Sequence, residues 1–146
     1  MNKIKTIAIV ALVGLSTITF AQKKVINSNE LPANAQTFIK NNFATNQISS
    51  TIEEKEKLFS KEYKVILNNG TKIEFDKSGN WEEVDGEKTA IPLKIVPTAI
   101  QNYVTKSFPD TQIVKIKKSS RKYEVEISNG IDLEFNKKGE FIRIDD

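Results

Sequence analysis

An internal duplication limits how this chain can fold more than any other feature. Residues 63–85 read YKVILNNGTKIEFDKSGNWEEVD, and residues 123–145 read YEVEISNGIDLEFNKKGEFIRID. At a constant offset of 60, nine of the 23 positions are identical, both glycines among them. Most others exchange like for like, as in Leu67/Ile127, Ile73/Leu133 and Trp81/Phe141. Upstream, Pro32, Ile39, Phe43 and Ile48 match Pro97, Val104, Phe108 and Ile113 at an offset of 65. Self-similarity at a fixed spacing marks a structural unit used more than once. The change of offset places five extra residues between Ile48 and Tyr63. The charge run Glu53-Glu54-Lys55-Glu56-Lys57 reads as a solvated loop that carries them.

Each copy opens with a helix signal. Pro32 and Pro97 suit a first helical position, where the missing N–H costs nothing. Ala35, Phe38, Ile39 and Phe43 then fall on one helical face, as do Ile100, Tyr103, Val104 and Phe108. Pro109 and Asp110 end the second helix. Strands follow. Ile48–Ile52 and Ile113–Lys117 are short first strands of open register. Tyr63/Val65/Leu67 and Tyr123/Val125/Ile127 alternate with polar residues, as do Ile73/Phe75 and Leu133/Phe135, and Asn69-Gly70 and Asn129-Gly130 are hairpin signals. A two-residue turn would set an inward residue against an outward one. A three-residue loop, Ser128-Asn129-Gly130 with a left-handed glycine, pairs Val125 with Leu133 and Tyr123 with Phe135. The same logic at Lys77-Ser78-Gly79 pairs Phe75 with Trp81, and Phe135 with Phe141. The expected fold class is α+β: two tandem helix-plus-four-stranded antiparallel meander repeats, with the helices on one face of a curved sheet and the other face open.

Residues 1–21 carry Lys3 and Lys5, an apolar stretch over Ile7–Leu15, and small residues before Gln22, the pattern of a cleaved export signal. The apolar stretch is short for a membrane span of ~20 residues, so no membrane insertion is expected after cleavage. Localisation is then periplasmic or secreted. Removing this segment takes two of the 22 Lys+Arg and leaves 20 against 19 Asp+Glu. A nearly neutral chain has no basic field for nucleic acid. There is no Cys and no His, which excludes thiol nucleophiles, disulfides, Cys/His zinc sites and Ser-His pairs. No acid pair marks a glycosidase-type site, so no enzyme, catalytic residue or cofactor is expected.

The repeated pattern of Leu31-Pro32 or Val96-Pro97, an amphipathic helix, and then Y-x-V-x-L-x-N-G-x-x-I-x-F-D-x-x-G-x-W resembles the PepSY-like family. The resemblance covers Leu31–Asp146 and rests on turn glycines and core aromatics (Tyr63, Gly70, Phe75, Gly79, Trp81 and their counterparts). It implies two α/β repeats, a fold like that of the β-lactamase inhibitory protein, and export from a Bacteroidetes-type cell. Most members of the family have no known function. The better-studied inhibitors carry disulfides, and this chain has no Cys. Their inhibitory contacts do not map onto its residues. The related PepSY domain is associated with restraining peptidases. The expected organisation is a signal peptide (1–21), a flexible N-terminal segment (22–30), repeat 1 (31–85), a linker (86–94) and repeat 2 (95–146).

Three features could carry chemistry. Asp76-Lys77-Ser78-Gly79-Asn80 through Glu87 loosely suggests a calcium loop, but its Gly stands fourth where an EF-hand needs it sixth, and an Asp-led turn accounts for it. The last strands carry apolar residues on both faces, Trp81 against Val84 and Phe141 against Ile142 and Ile144. One set is then exposed unless a bulge intervenes. Finally, Glu124, Glu126, Asp132 and Glu134 all point outward, and the register sets Glu124 opposite Glu134 and Glu126 opposite Asp132, which is unfavourable. Screening by Lys115 and Lys117 or a basic partner would explain the cluster. The expected function is an exported, non-catalytic binding module that engages a protein or peptide through the open sheet face, with Glu124, Glu126, Asp132, Glu134, Ile142 and Ile144 as partner surface, in the manner of an inhibitor. The alternative is an envelope protein that binds a cation or small ligand on the acidic stripe.

Overall fold

The structure is a computed structural model that describes residues 22–57 and 60–145. The export segment lies outside the described residues. In chain order the elements are β1 (Gln22–Val25), a 3-10 turn (Ser28–Glu30), α1 (Ala33–Asn42), β2 (Ile48–Lys57), β3 (Ser60–Leu67), β4 (Lys72–Phe75) and β5 (Trp81–Asp85). A second 3-10 turn (Leu93–Ile95), α2 (Thr98–Ser107), β6 (Ile113–Lys118), β7 (Lys122–Ile127), β8 (Asp132–Asn136) and β9 (Phe141–Asp145) follow. Proline caps each α-helix from the residue before it, so both helices start one residue later than the sequence suggests.

The strands form one antiparallel sheet in the order β1 to β9. This overturns the expectation of two tandem helix-plus-four-stranded meanders. β5 pairs with β6 through Glu83↔Lys117, Val84↔Ile116 and Asp85↔Lys115, and β1 adds a further strand. The physical reason is the edge. A four-stranded meander exposes unpaired backbone along its last strand. Joining β5 to β6 satisfies that backbone and places Lys115 within 3.0 Å of Glu83 and 3.6 Å of Asp85.

Two further expectations change near the N-terminus. Residues 22–30 hold β1 and a 3-10 turn rather than a flexible segment. The Glu53–Lys57 run is not a loop but part of β2, where Glu53, Glu54 and Lys55 are paired to both β1 and β3. Opposite charges across the strands hold this extension, with Lys23–Glu54 at 2.9 Å and Lys61–Glu53 at 2.7 Å.

The hairpin register follows the apolar pattern. Gly130 has φ +85°, its N–H donates to the Ile127 carbonyl, and the Ile127 N–H donates to the Ile131 carbonyl. Val125 then faces Leu133 and Tyr123 faces Phe135. Beyond the next turns Phe75 faces Trp81 and Phe135 faces Phe141, but the register shifts at once to Glu74↔Glu83 and Glu134↔Arg143. Glu82 and Ile142 are therefore bulge residues. Each bulge reverses the alternation, so Val84 lies on the same face as Trp81, and Ile144 on the same face as Phe141.

That face carries the core. Ala35, Ile39 and Phe43 of the first helical segment and Ile100 and Val104 of α2 pack on Val65, Ile73, Phe75, Ile116, Val125, Leu133 and Phe135. Phe38 stacks on Trp81, and Tyr103 stacks on Phe141 at 4.5 Å between ring centroids. Both helices thus cover one face of the sheet, and the other is left to charged side chains.

Candidate functional site

The open face is built by strand alternation alone. Residues opposite one another across β5 to β9 form two rows on it. One runs Glu83–Lys117–Glu124–Glu134–Arg143, the other Asp85–Lys115–Glu126–Asp132–Asp145. The acidic pairs expected from the sequence are there: Glu124 faces Glu134, and Glu126 faces Asp132.

The two pairs differ in how they are tolerated. Glu134 is buried although it points to the open face. Arg143 Nε donates to it at 2.8 Å, and Lys122 Nζ lies 3.1 Å away. Hydrogen bonds from Arg143 and Lys122 hold its carboxyl below the usual range. Lys122 also reaches Glu124 at 2.6 Å. Glu134 is therefore a closed structural node. Its carboxylate is engaged within the fold by two cations, a role the sequence did not show because Arg143 reaches it only through the Ile142 bulge.

Glu126 and Asp132 are different. Among the described residues neither makes a close ion pair, although Lys115 faces Glu126 across the strands and feels its charge, whereas Glu83, Glu124 and Asp145 are each held by at least one cation. With Glu83, Lys115, Lys117, Glu124, Leu133 and Asp145 they line a shallow basin of about 230 Å³. Five carboxylates and two lysines give it a net negative charge. Lys115 is raised above the usual lysine range: burial acts against this, and Glu83, Asp85 and Glu126 outweigh it. It therefore stays charged and neutralises only part of the basin.

The apolar candidates do not lie where the sequence placed them. Ile144 faces Leu133 on the helix-covered side, not the open one, because of the bulge at Ile142. Both are exposed for another reason: β9 ends the sheet, and Phe141, Ile142 and Ile144 are 37%, 50% and 48% exposed along it. These candidate residues together form a corner, with the acidic basin on one side and the apolar β9 edge beside it.

The Asp76 loop is a turn. Asp76 Oδ1 accepts from the Ser78 and Asn80 N–H groups, and Oδ2 accepts from the Asn80 side chain. Its oxygens are spent within the loop. Among the described residues no group of three or more acidic side chains is arranged to hold a metal ion.

The class defined so far is a single-sheet α+β protein with helices on one face and a charged open face. A family model described as "Putative beta-lactamase-inhibitor-like, PepSY-like" matches residues 61–143, and the chain belongs to this PepSY-like family. Three solved structures are similar. One, from Bacteroides thetaiotaomicron, is described as a "putative calcium-regulated periplasmic protein"; it is 44% identical, with 85% of this chain and 97% of that one covered and a TM-score of 0.81. Another, described as a "putative periplasmic protein" from Bacteroides vulgatus, is 41% identical, covering 85% and 97%, with a TM-score of 0.79. A third, described as a "putative periplasmic protein of unknown function" from Bacteroides vulgatus, is 28% identical, covering 86% and 100%, with a TM-score of 0.81. No curated protein matches. The protein is periplasmic, like these neighbours.

Proposed function

We propose that the protein is a non-catalytic periplasmic binding module whose open face, at the basin between β5 and β9, takes a basic segment of another protein. The observation that carries this reading is the pair Glu126 and Asp132, adjacent carboxylates that make no close ion pair among the described residues, in a basin that keeps a net negative charge. A fold has little to gain from like charges set opposite one another, so a cationic partner gives the arrangement a use. An inhibitory role is compatible with such a surface and is suggested by the family's description.

The test is titration calorimetry of the mature chain with a lysine-rich peptide. Binding should weaken steeply between low and high salt, because exposed charges are screened. It should be lost in the Asp132→Lys variant. Equal binding by wild type and Asp132→Lys would remove the basin from the function.

A second reading is calcium binding, which the name of the 44% identical neighbour suggests. The row Glu126–Asp132–Asp145 is its best support in this chain. Its carboxylates would have to turn toward one another, since calcium needs six or more oxygen ligands. Titration with calcium in place of the peptide separates the two readings.

A further inference from the structure

We infer that β9 accepts one added strand from the partner, with a basic and aliphatic pattern copied from β6. This rests on the proposed use of the open face and supplies the partner's chemistry.

The argument is an internal comparison of β5 with β9. Both strands have the same bulge one residue after their aromatic, at Glu82 and at Ile142. Bulges often protect a sheet edge, but this one does not. β5 still pairs with β6 over the three residues beyond it, Glu83, Val84 and Asp85. The corresponding residues of β9, Arg143, Ile144 and Asp145, end the sheet, and among the described residues no strand pairs with their outer side.

What β6 does for β5 shows what β9 lacks. Ile116 faces Val84, and both are fully buried; Ile144, in the place of Val84, is 48% exposed. Lys118 places its Nζ 4.0 Å above the Trp81 ring. Phe141, in the place of Trp81, is stacked on Tyr103 and remains 37% exposed. Lys115 sits between Glu83 and Asp85. On β9 the matching position faces Asp145, whose row continues into Asp132 and Glu126.

A strand laid antiparallel on β9 would therefore carry Lys or Arg opposite Asp145 and an aliphatic residue opposite Ile144. An acidic or neutral residue would meet Arg143, followed by a cation over Phe141. Read from its N-terminus the pattern is Lys-Ile-Glu-Lys, which is Lys115–Lys118 of this chain with Glu at 117. Main-chain pairing would supply affinity and the alternate side chains specificity.

The probe is a synthetic peptide with the sequence of residues 111–120 carrying Lys117→Glu, added to the mature chain. Amide hydrogen exchange should slow at the β9 amides that point away from β8, Ile144 above all. Affinity should fall at least tenfold when the peptide carries Pro at its Ile116 position, which removes the N–H a ladder needs. It should fall similarly with Ile144→Lys in the protein, a half-exposed position. If a scrambled peptide of equal charge binds as well and leaves the β9 amides unprotected, strand addition is wrong while the acidic basin stands as a binding surface. If no peptide binds, both readings fall. Protection of the same amides in the protein alone, with sedimentation as a dimer, would make a second copy the occupant and overturn the inference.

Discussion

At the residue scale, two pairs of glycines that look alike in the sequence do different work. Gly70 and Gly79 both have φ near +80° to +90°, which any side chain resists. Around Gly70 the space for a Cβ is open, whereas at Gly79 a Cβ would lie 2.7 Å from the Pro32 Cβ and 2.8 Å from the Ala35 nitrogen. The β4–β5 turn thus seats against the start of α1. Gly70→Ala should cost about 1 kcal/mol from the backbone alone, and Gly79→Ala clearly more. Equal losses in thermal unfolding would mean that the turn does not touch the helix. Thr51 offers a gain instead. It is 2% exposed and among the described residues its Oγ1 has no hydrogen-bond partner, while the aligned residue Ile116 is aliphatic. Replacing an unsatisfied buried hydroxyl by a methyl of the same shape removes a desolvation cost. Thr51→Val should therefore stabilise by about 1 kcal/mol, read from denaturant midpoints. A loss of stability would show that the hydroxyl has a partner in solution.

At the element scale, the bulge in β9 decides the electrostatics of the acidic corner. From alternation alone, reversing the charge of either Glu126 or Glu134 should relieve repulsion and stabilise the fold. The structure separates the two. Glu134 is held by Arg143 and Lys122, so Glu134→Gln should destabilise. Asp132→Asn, which removes a charge facing Glu126 and Asp145, should be neutral or stabilising by a few tenths of a kcal/mol, the scale of a cross-strand pair. Chemical denaturation of both variants at low salt checks the ordering, and the reverse ordering would place β9 in another register. This also shows what was legible in the sequence. Period-2 alternation and turn glycines specify hairpins, so Val125↔Leu133 and Phe75↔Trp81 could be read directly. A bulge leaves no signal of its own: one extra residue in a strand looks like a face carrying the wrong residues, as Trp81 with Val84 did. The union of β5 with β6 was hidden for a related reason. Strands separated by a helix announce their partner only through charge complementarity, here Lys115 and Lys117 against Glu83 and Asp85. The Glu53–Lys57 run misled because charges paired across strands look the same in sequence as charges in solvent.

For the whole molecule, the absence of His removes the side chain that ordinarily titrates between pH 5 and 8, so the pH response falls to displaced carboxyls. Glu53 is held below the usual value of 4.5, first by its hydrogen bond to Lys61, and Glu134 by Arg143 and Lys122. Asp76 is also lowered from 3.8: burial raises it, and hydrogen bonds from Asn80, Ser78 and Gly79 outweigh that. Between the folded and unfolded values of each group the unfolded chain holds more protons, so stability rises with pH there. The contribution is complete above the unfolded value and lost as pH falls through the folded one. Glu82 acts in the opposite sense. Partial desolvation at the bulge, with Asp76 and Glu74 nearby, raises it above 4.5 although the residue is exposed, so its ionisation weakly opposes folding above its folded value and acidification relieves this. The thermal midpoint should therefore lose little on acidification until the pH passes below about 4.5, the ordinary Glu range, and then drop. In a Glu53→Gln, Glu134→Gln double variant the neutral midpoint should be lower and the acidic drop shallower, because the groups that lose their favourable charge are gone. Glu82→Gln should raise the neutral midpoint and leave the lowest-pH midpoint nearly unchanged. Differential scanning calorimetry from pH 7 to 3 on the three proteins measures all of this. An acid limb of the same depth in the double variant would mean that acid sensitivity resides elsewhere than in the two carboxylates that pin β2 to β3 and β8 to β9.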